Sequence, residues 1–344
     1  MLSSLEDILR RPAVRAAIPG LSMAILRHGE ITSVHAIGTR TAEGKGEVDA
    51  YTVFEAASLT KPLVAFIALQ LTEEGKLPLD VPLKSLCGDY VTGDERAGLI
   101  TARHVLTHTS GLPNIVARET PLKTYFQPGE RFSYGSSAFG WLQRAMEHVT
   151  RNSLEALARS RVFQPLGMAN SSLEWQERFE CNHAQGAELD GRLVPKRRPV
   201  IAEASWSLST TASDYARFVQ AVLRGLGLRP AMHDSWFTPA VQARAGVYDV
   251  QNPAALEQPG VAWGLGWGLE PAQRYFFHWG HHPGFRAFVM GNLETGDGVV
   301  WFANSARGLR LARRVLPVIV PGDHPALEWL QGRPNASEEF ADLP

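Results

Sequence analysis

The sequence predicts an α+β fold in which strands from both ends of the chain share one sheet. Three β-prone runs separated by turn residues lie near the C-terminus, at Tyr275–Trp279, Phe285–Gly291 and Gly298–Phe302. Near the N-terminus, the extended runs Leu21–Leu26 and Ile31–Ile37 surround a glycine-containing turn and predict a β-hairpin. The long region between these ends is mainly helical in pattern, which separates the strands from most of the helices.

Composition excludes several classes of function. The 344 residues are 44% hydrophobic and 20% charged, with a net charge of −1, so no basic excess favours nucleic acid as a partner. The longest apolar stretch, Leu63–Leu71, is far shorter than the roughly 20 residues that span a bilayer. Because the N-terminus has no apolar signal segment, we expect a cytoplasmic protein that does not bind membranes. The oligomeric state stays open.

The most informative local pattern is Ser58-Leu59-Thr60-Lys61, at the start of a helix predicted over Ser58–Gly75. Residues three apart lie on one helix face, so Lys61 can lie beside the Ser58 hydroxyl. A neutral lysine can accept the serine proton, and a charged one stabilises the alkoxide. The alternative is a serine that caps the helix and a solvated lysine one turn later.

Two further segments carry candidate groups. Tyr134-Gly135-Ser136 follows a Pro-Gly turn, and a tyrosine near Ser58 can serve as general base or acid, because a cationic neighbour favours phenolate. The alternative is a half-buried tyrosine bonded to backbone. His278-Trp279-Gly280 ends a strand-like run, where glycine lets a substrate carbonyl approach backbone N–H groups.

The histidine-rich stretch has other interpretations. It can be a loop of partly exposed imidazoles around His278, His281 and His282. A zinc site is disfavoured, because the sequence has no H-E-x-x-H motif and no acidic partner at metal spacing. We therefore expect no metal and no cofactor.

Together these three segments resemble the motifs of the serine β-lactamase and penicillin-binding-protein superfamily. That superfamily carries S-x-x-K, Y-x-N or Y-x-S, and K-T-G or H-x-G in this chain order. The chain is most similar to the branch with class C β-lactamases, D-stereospecific peptidases and family VIII carboxylesterases. Further similar stretches are Phe54–Ala57, Leu106–Pro113, Pro165–Met168, Ser209–Asp214 and Gly264–Gly268.

The resemblance implies one domain over residues 1–330, with the active site in a cleft between two lobes. An antiparallel sheet lobe flanked by helices would come from about 1–56 and 260–330, and a helical lobe from about 77–240. Residues 331–344 would form a polar tail, after a last helix over Leu309–Leu316 that stops at Pro317.

The resemblance also implies a role for each site residue. Ser58 would form the acyl-enzyme, with Lys61 and Tyr134 sharing the general-base work, and the backbone N–H groups of Ser58 and His281 would form the oxyanion hole. The expected substrate-binding residues are Ser136, His278, Trp279 and Gly280.

Three positions depart from the strict β-lactamase pattern. Ser136 stands where asparagine is usual, and His278 replaces a lysine, which leaves a weaker, pH-dependent cation for a substrate carboxylate. Trp279 replaces a small threonine and should narrow the cleft. A second H-x-G match is His282-Pro283-Gly284, but His278 is preferred because it ends the strand-like run.

These departures predict a serine hydrolase that cleaves small carboxylic esters, with a small-molecule ester or amide as its partner. The alternatives within enzymes are a D-stereospecific peptidase or amidase, a β-lactam hydrolase, and an acyltransferase of natural-product metabolism. An alternative of another class is a non-catalytic binding module that kept the fold. The presence of Ser58, Lys61 and Tyr134 together argues against that alternative.

Overall fold

The computed structural model describes residues 5–11, 17–117, 119–333 and 336. Its main element is an eight-stranded, fully antiparallel sheet in the order β2-β1-β10-β9-β8-β7-β6-β5. These strands are β1 (Gly20–Arg27), β2 (Glu30–Gly38), β5 (Val241–Arg244), β6 (Glu257–Trp263), β7 (Gly268–Glu270), β8 (Tyr275–His282), β9 (Phe285–Asn292) and β10 (Gly298–Ala303). A separate pair joins β3 (Phe54–Glu55) to β4 (Ser209–Thr210). The predicted α+β class is confirmed, since β1 pairs with β10 from the opposite end of the chain.

Some of the helices cover both faces of the sheet. The α-helices of the described residues are α1 (Leu5–Arg10), α2 (Thr60–Glu73), α3 (Leu83–Cys87), α4 (Ala102–Leu106), α5 (Ser137–Thr150), α6 (Leu154–Ala158), α7 (Ala212–Leu223), α8 (Pro230–Trp236), α9 (Ala312–Ile319) and α10 (Pro325–Gln331). The terminal helices α1, α9 and α10 pack on one face, and α2 and α7 pack on the other. This cover on both sides explains why β9 and β10 are buried at every residue rather than at alternate residues.

Side chains along β8 alternate between the two faces of the sheet, and this alternation determines which of them face the helical region. Phe277 and Trp279 point into the core beneath the terminal helices. Phe276 points to the opposite core, which contains α2, and His278, Gly280 and His282 follow on that face at two-residue spacing. One strand therefore presents several polar or small groups to the start of α2.

Three details of the expected boundaries differ. The C-terminal part of the sheet begins at β5, earlier than the expected boundary near 260. This edge strand has only four residues and is mostly half-buried, so its sequence pattern is too short to predict a strand. Pro317 lies inside α9 rather than ending it, on the exposed side of the helix. A further helix, α10, runs into the predicted polar tail, of which residues 334, 335 and 337–344 lie outside the described residues.

Phe302 joins the sheet to the elements around the candidate nucleophile. Its ring lies 6.3 Å from that of Phe54 and 5.9 Å from that of Tyr215, and it is fully buried. Phe302→Ala should therefore lower the free energy of unfolding by about 3–5 kcal/mol, measured by urea denaturation. Leu256→Ala, at a residue that is 79% exposed, is the control and should leave stability nearly unchanged. Equal midpoints for the two variants would contradict this packing.

Candidate active site

Ser58 lies in a tight turn between a buried strand and a buried helix. After β3, residues Ala57–Leu59 form a single 3₁₀ turn that leads directly into α2. Ala57, just before the serine, has a φ of 50°, a left-handed conformation that is uncommon for residues other than glycine. Ser58 is half-buried while both neighbours are fully buried, so its hydroxyl is the accessible group of this turn.

Lys61 lies against that hydroxyl. Its Nζ donates to Ser58 Oγ at 2.9 Å and to the backbone carbonyl of Ser205 at 2.9 Å. The side chain is fully buried, and burial lowers the pKa of Lys61 well below its usual value. No carboxylate of the described residues forms an ion pair with it. The three-residue spacing in the sequence thus corresponds to direct contact between a serine and a lysine whose neutral form is favoured.

Tyr134 completes this group. Its ring lies 5.0 Å from Lys61 Nζ, and its buried hydroxyl faces Ser58 without forming a hydrogen bond of normal geometry to any described residue. Burial raises the pKa of Tyr134 well above its usual value, an effect that Ser58 only partly offsets. The expectation that a cationic neighbour favours phenolate is therefore wrong, because burial disfavours both the phenolate and the charged lysine.

The end of β8 lies against the backbone of the nucleophile turn, which we define as residues 56–59. A Cβ placed on Gly280 would lie 2.3 Å from the Ala56 carbonyl oxygen, so only glycine fits at this position. His282 and Phe285 pair across a two-residue turn, which makes His281 and Arg286 the next, non-hydrogen-bonded pair. The register therefore points the His281 N–H away from β9, and the oxyanion hole expected at Ser58 and His281 stays a prediction.

His278 and Trp279 do not form an open binding wall. His278 is fully buried, and burial, together with the nearby Lys61, lowers its pKa to about 3. It is therefore neutral near pH 7 and supplies no cation for a carboxylate. Trp279 is 1% exposed, and its indole packs 4.8 Å from the ring of Tyr134, so it supports that tyrosine instead of lining free space.

Ser136 has a partner that the sequence did not indicate. Its Oγ donates to Asn114 Oδ1 at 2.7 Å, so an amide from a different loop stands beside the position where the family has asparagine. Asn114 directly follows the family-like stretch Leu106–Pro113, which is the only signal that points to it.

Two other residues near the site were missed. His108 stacks on the Tyr134 ring at 4.2 Å, and the Gly135 N–H donates to its Nδ1 at 3.1 Å. Arg333 lies near the oxyanion strand, with its Nη1 3.4 Å from His281 Nδ1 and its guanidinium 5.9 Å from the Trp279 ring. His108 belongs to the family-like stretch, whereas Arg333 lies in the segment assigned to the polar tail and has no sequence signal.

Other kinds of site are not found in the described part of the chain. Residues 5–11, 17–117, 119–333 and 336 contain no group of three or more His, Cys, Asp or Glu side chains arranged to hold a metal ion. None of the helices in these ranges is long and apolar enough to cross a membrane.

An antiparallel sheet with helices on both faces, and a half-buried serine beside a buried lysine and tyrosine, define the class of serine hydrolases and transferases with the β-lactamase/transpeptidase fold. A model of the beta-lactamase family matches residues 5–320, and the chain belongs to this family. The resemblance identified from the motifs is therefore confirmed.

Individual relatives are distant. Protein flp of Staphylococcus aureus (strain NCTC 8325 / PS 47) is 24% identical over 323 residues, which cover 87% of this chain and 62% of flp. The ML-236A carboxylate methylbutanoyltransferase mlcH of Penicillium citrinum is 28% identical over 52% of each chain. The octameric penicillin-binding protein homologue from Pyrococcus abyssi superposes with a TM-score of 0.76 at 22% identity, covering 97% of this chain and 78% of that one. The chain thus spans less than two thirds of flp.

The close approach of Gly280 to Ala56 gives a direct test of the site. Gly280→Ala should push β8 away from the nucleophile turn and slow covalent labelling of Ser58 by a fluorophosphonate by roughly 100-fold, as for loss of an oxyanion donor. Labelling rates are measured by intact-protein mass spectrometry. Gly98→Ala is the control, because its nearest neighbour would be 3.7 Å away. Equal labelling of both variants would contradict the assigned approach.

Proposed function

We propose that this protein is a serine hydrolase that cleaves small carboxylic esters through an acyl-enzyme on Ser58. The observation that carries the proposal is the 2.9 Å contact between Ser58 Oγ and a fully buried Lys61. A serine hydroxyl needs a base to become a nucleophile, and burial lowers the pKa of Lys61, which favours the neutral form that can act as one. A lysine held only for packing would not need to meet a half-exposed serine.

The proposed reaction has two steps. Ser58 Oγ attacks the ester carbonyl as its proton passes to Lys61, and the backbone N–H groups of Ser58 and His281 stabilise the negative oxygen. When the tetrahedral intermediate collapses, the carbon–oxygen bond to the alcohol breaks and the alkoxide takes a proton. The neutral hydroxyl of Tyr134, which faces Ser58, relays that proton from Lys61. Water then attacks the acyl-enzyme by the reverse proton path and releases the acid.

The third motif supports an uncharged substrate. A β-lactam or a peptide with a free carboxylate needs a cation, and His278, with a pKa of about 3, does not supply one near neutral pH. An ester has no such requirement. Arg333 Nη1 lies 3.4 Å from His281 Nδ1 and is one cation near the site, so substrates with a free carboxylate remain the comparison in any substrate test.

A cavity next to the site supports a small substrate. It has a volume of about 340 Å³ and is bordered by Asn114, which contacts Ser136, and by Tyr248, whose ring lies 5.7 Å from that of Tyr134. Pro113, Ile115 and Val116 supply apolar lining. This space suits a short acyl or alcohol group of a small ester.

Acyl transfer is the second candidate function. It is favoured by the 28% identity to a methylbutanoyltransferase over about half of the chain. The acyl-enzyme would be the same, and an acceptor alcohol or amine would replace water in the second step. Product analysis with an added alcohol separates the two, because a transferase yields a new ester as well as the free acid.

The nucleophile and the tyrosine are tested by ester hydrolysis. With p-nitrophenyl butyrate, Ser58→Ala should lower kcat/KM by roughly 1,000-fold or more, and Tyr134→Phe by roughly 100-fold. Tyr275→Phe is the control, because that hydroxyl donates to the Pro321 carbonyl at 2.9 Å at the other end of β8. Cleavage of D-alanine p-nitroanilide in place of the ester would move the function to D-peptides. Wild-type rates in Ser58→Ala would overturn the nucleophile assignment.

The pH dependence tests the base. Since only neutral Lys61 accepts the serine proton, kcat/KM should rise with pH as Lys61 deprotonates and then level off. The midpoint should lie well below the usual lysine pKa, because burial lowers the pKa of Lys61. A profile measured from about pH 5 to pH 10 with a neutral ester gives this midpoint. A rate that still climbs steeply near pH 10 would show an ordinary, solvated lysine.

A further inference from the structure

We propose that Glu55 is a positioning residue that holds the oxyanion strand in place through His282. This inference rests on the proposed acyl-enzyme function and concerns the second H-x-G match, His282-Pro283-Gly284, which the assigned mechanism does not use. Neither side chain is placed at the reacting atoms.

The contact joins the two backbone segments that meet at the site. His282 Nδ1 donates to Glu55 Oε2 at 2.7 Å, with only 12% and 5% of the respective side chains exposed. Glu55 lies three residues before Ser58, and His282 directly follows His281. The hydrogen bond therefore connects the segments that carry both expected oxyanion N–H groups.

The surroundings keep Glu55 ionised. Burial alone would raise its pKa, but the hydrogen bond from His282 and the positive charges of Lys196 and Arg197 lower the pKa to about 2. Lys196 Nζ is 3.7 Å and Arg197 Nη1 3.2 Å from the carboxylate. An ionised carboxylate only accepts hydrogen bonds, so the proton of the His282 ring is fixed on Nδ1.

His281 is thus held from both sides. On one side, Gly280 lies against the Ala56 carbonyl, where a Cβ would approach to 2.3 Å. On the other side, His282 is tied to Glu55, and its own carbonyl accepts from Arg286 Nη1 at 2.8 Å. With both neighbours fixed to parts of the nucleophile turn or the adjacent strand, the His281 N–H has little freedom to move. A donor that is fixed before reaction is what stabilises a developing oxyanion.

The network also reaches the base. Lys196 and Arg197 begin the segment that leads to Ser205, whose carbonyl accepts from Lys61. Lys196 is itself buried, 5.0 Å from the Trp175 ring and 5.2 Å from the Phe285 ring. Glu55 therefore links the nucleophile strand, the oxyanion hairpin and the segment that holds the lysine.

A matched pair of variants tests the link to His282. His282→Asn keeps a donor near the Nδ1 position, whereas His282→Leu has a similar size and no donor. With p-nitrophenyl butyrate, His282→Leu should lower kcat by roughly 10- to 100-fold with little change in KM, and His282→Asn should retain most of the rate. Glu55→Met, which keeps a similar length and removes the acceptor oxygens, should show the same loss in kcat, and it replaces His282→Leu if that variant does not fold.

A control exists at the opposite end of the same strand. His324 Nδ1 and Glu270 Oε2 form a buried pair at 3.0 Å, and the His324 ring packs 5.1 Å from that of Tyr275. His324→Leu should lower the melting temperature and leave kcat unchanged. If it lowers kcat as much as His282→Leu does, the Glu55 contact is merely structural and the proposal is overturned.

Binding of phenylboronic acid separates this proposal from the proposed function. The boronate forms a tetrahedral adduct with a nucleophilic serine and places an oxygen in the oxyanion hole, so its affinity reports the site without substrate turnover. We expect His282→Leu to weaken this affinity by roughly 10-fold or more and His282→Asn to preserve it, measured by calorimetry. Binding that is lost in Ser58→Ala but equal in both His282 variants would overturn the role of Glu55, whatever the natural ester is.

Discussion

The site depends on one contact, the hydrogen bond between Nζ of the fully buried Lys61 and Oγ of the half-buried Ser58. An ammonium group is costly to bury without a counter-charge, and no carboxylate of the described residues pairs with this lysine. The free energy cost of burying the charge favours the neutral amine. By enclosing Lys61 between the sheet and the helical region, the fold favours the neutral form that the proposed mechanism uses as a base.

The same enclosure determines what the neighbouring groups can do. Tyr134 and His278 are buried with Lys61, and burial moves the pKa of the tyrosine up and that of the histidine down. Tyr134 and His278 are therefore neutral near pH 7, and burial favours the neutral form of Lys61. The neutral imidazole of His278 does not attract a negatively charged substrate through the third motif. This property agrees with the proposed cleavage of uncharged esters.

Features of the fold and of the site that depend on residues close together in the chain could be predicted from the sequence. The three-residue spacing of Ser58 and Lys61 fixes their proximity on a helix, and the end strands follow from their apolar runs and turns. Gly280 could be singled out because only glycine lets a second backbone or a ligand approach a strand this closely. The motif order was enough to identify the family, which the match over residues 5–320 confirms.

The predictions that were wrong, and the site residues that were missed, depend on contacts between distant parts of the chain. The expected phenolate of Tyr134 ignored the burial produced by elements far along the sequence, and His278 was expected to remain a weak cation for the same reason. Asn114 and Arg333 reach the site only through tertiary folding. Glu55 looked like part of a family-like stretch, and its contact with His282 spans 227 positions of the chain.

The most direct test of the account is a titration of Lys61 itself. In protein labelled with ¹³C at the lysine Cε, the Lys61 resonance can be assigned by comparison with Lys61→Met and followed against pH by NMR. The account predicts a midpoint well below the usual lysine value, because burial lowers the pKa of Lys61. A midpoint at the usual value would show a charged lysine beside Ser58 and would contradict the assignment of Lys61 as the base.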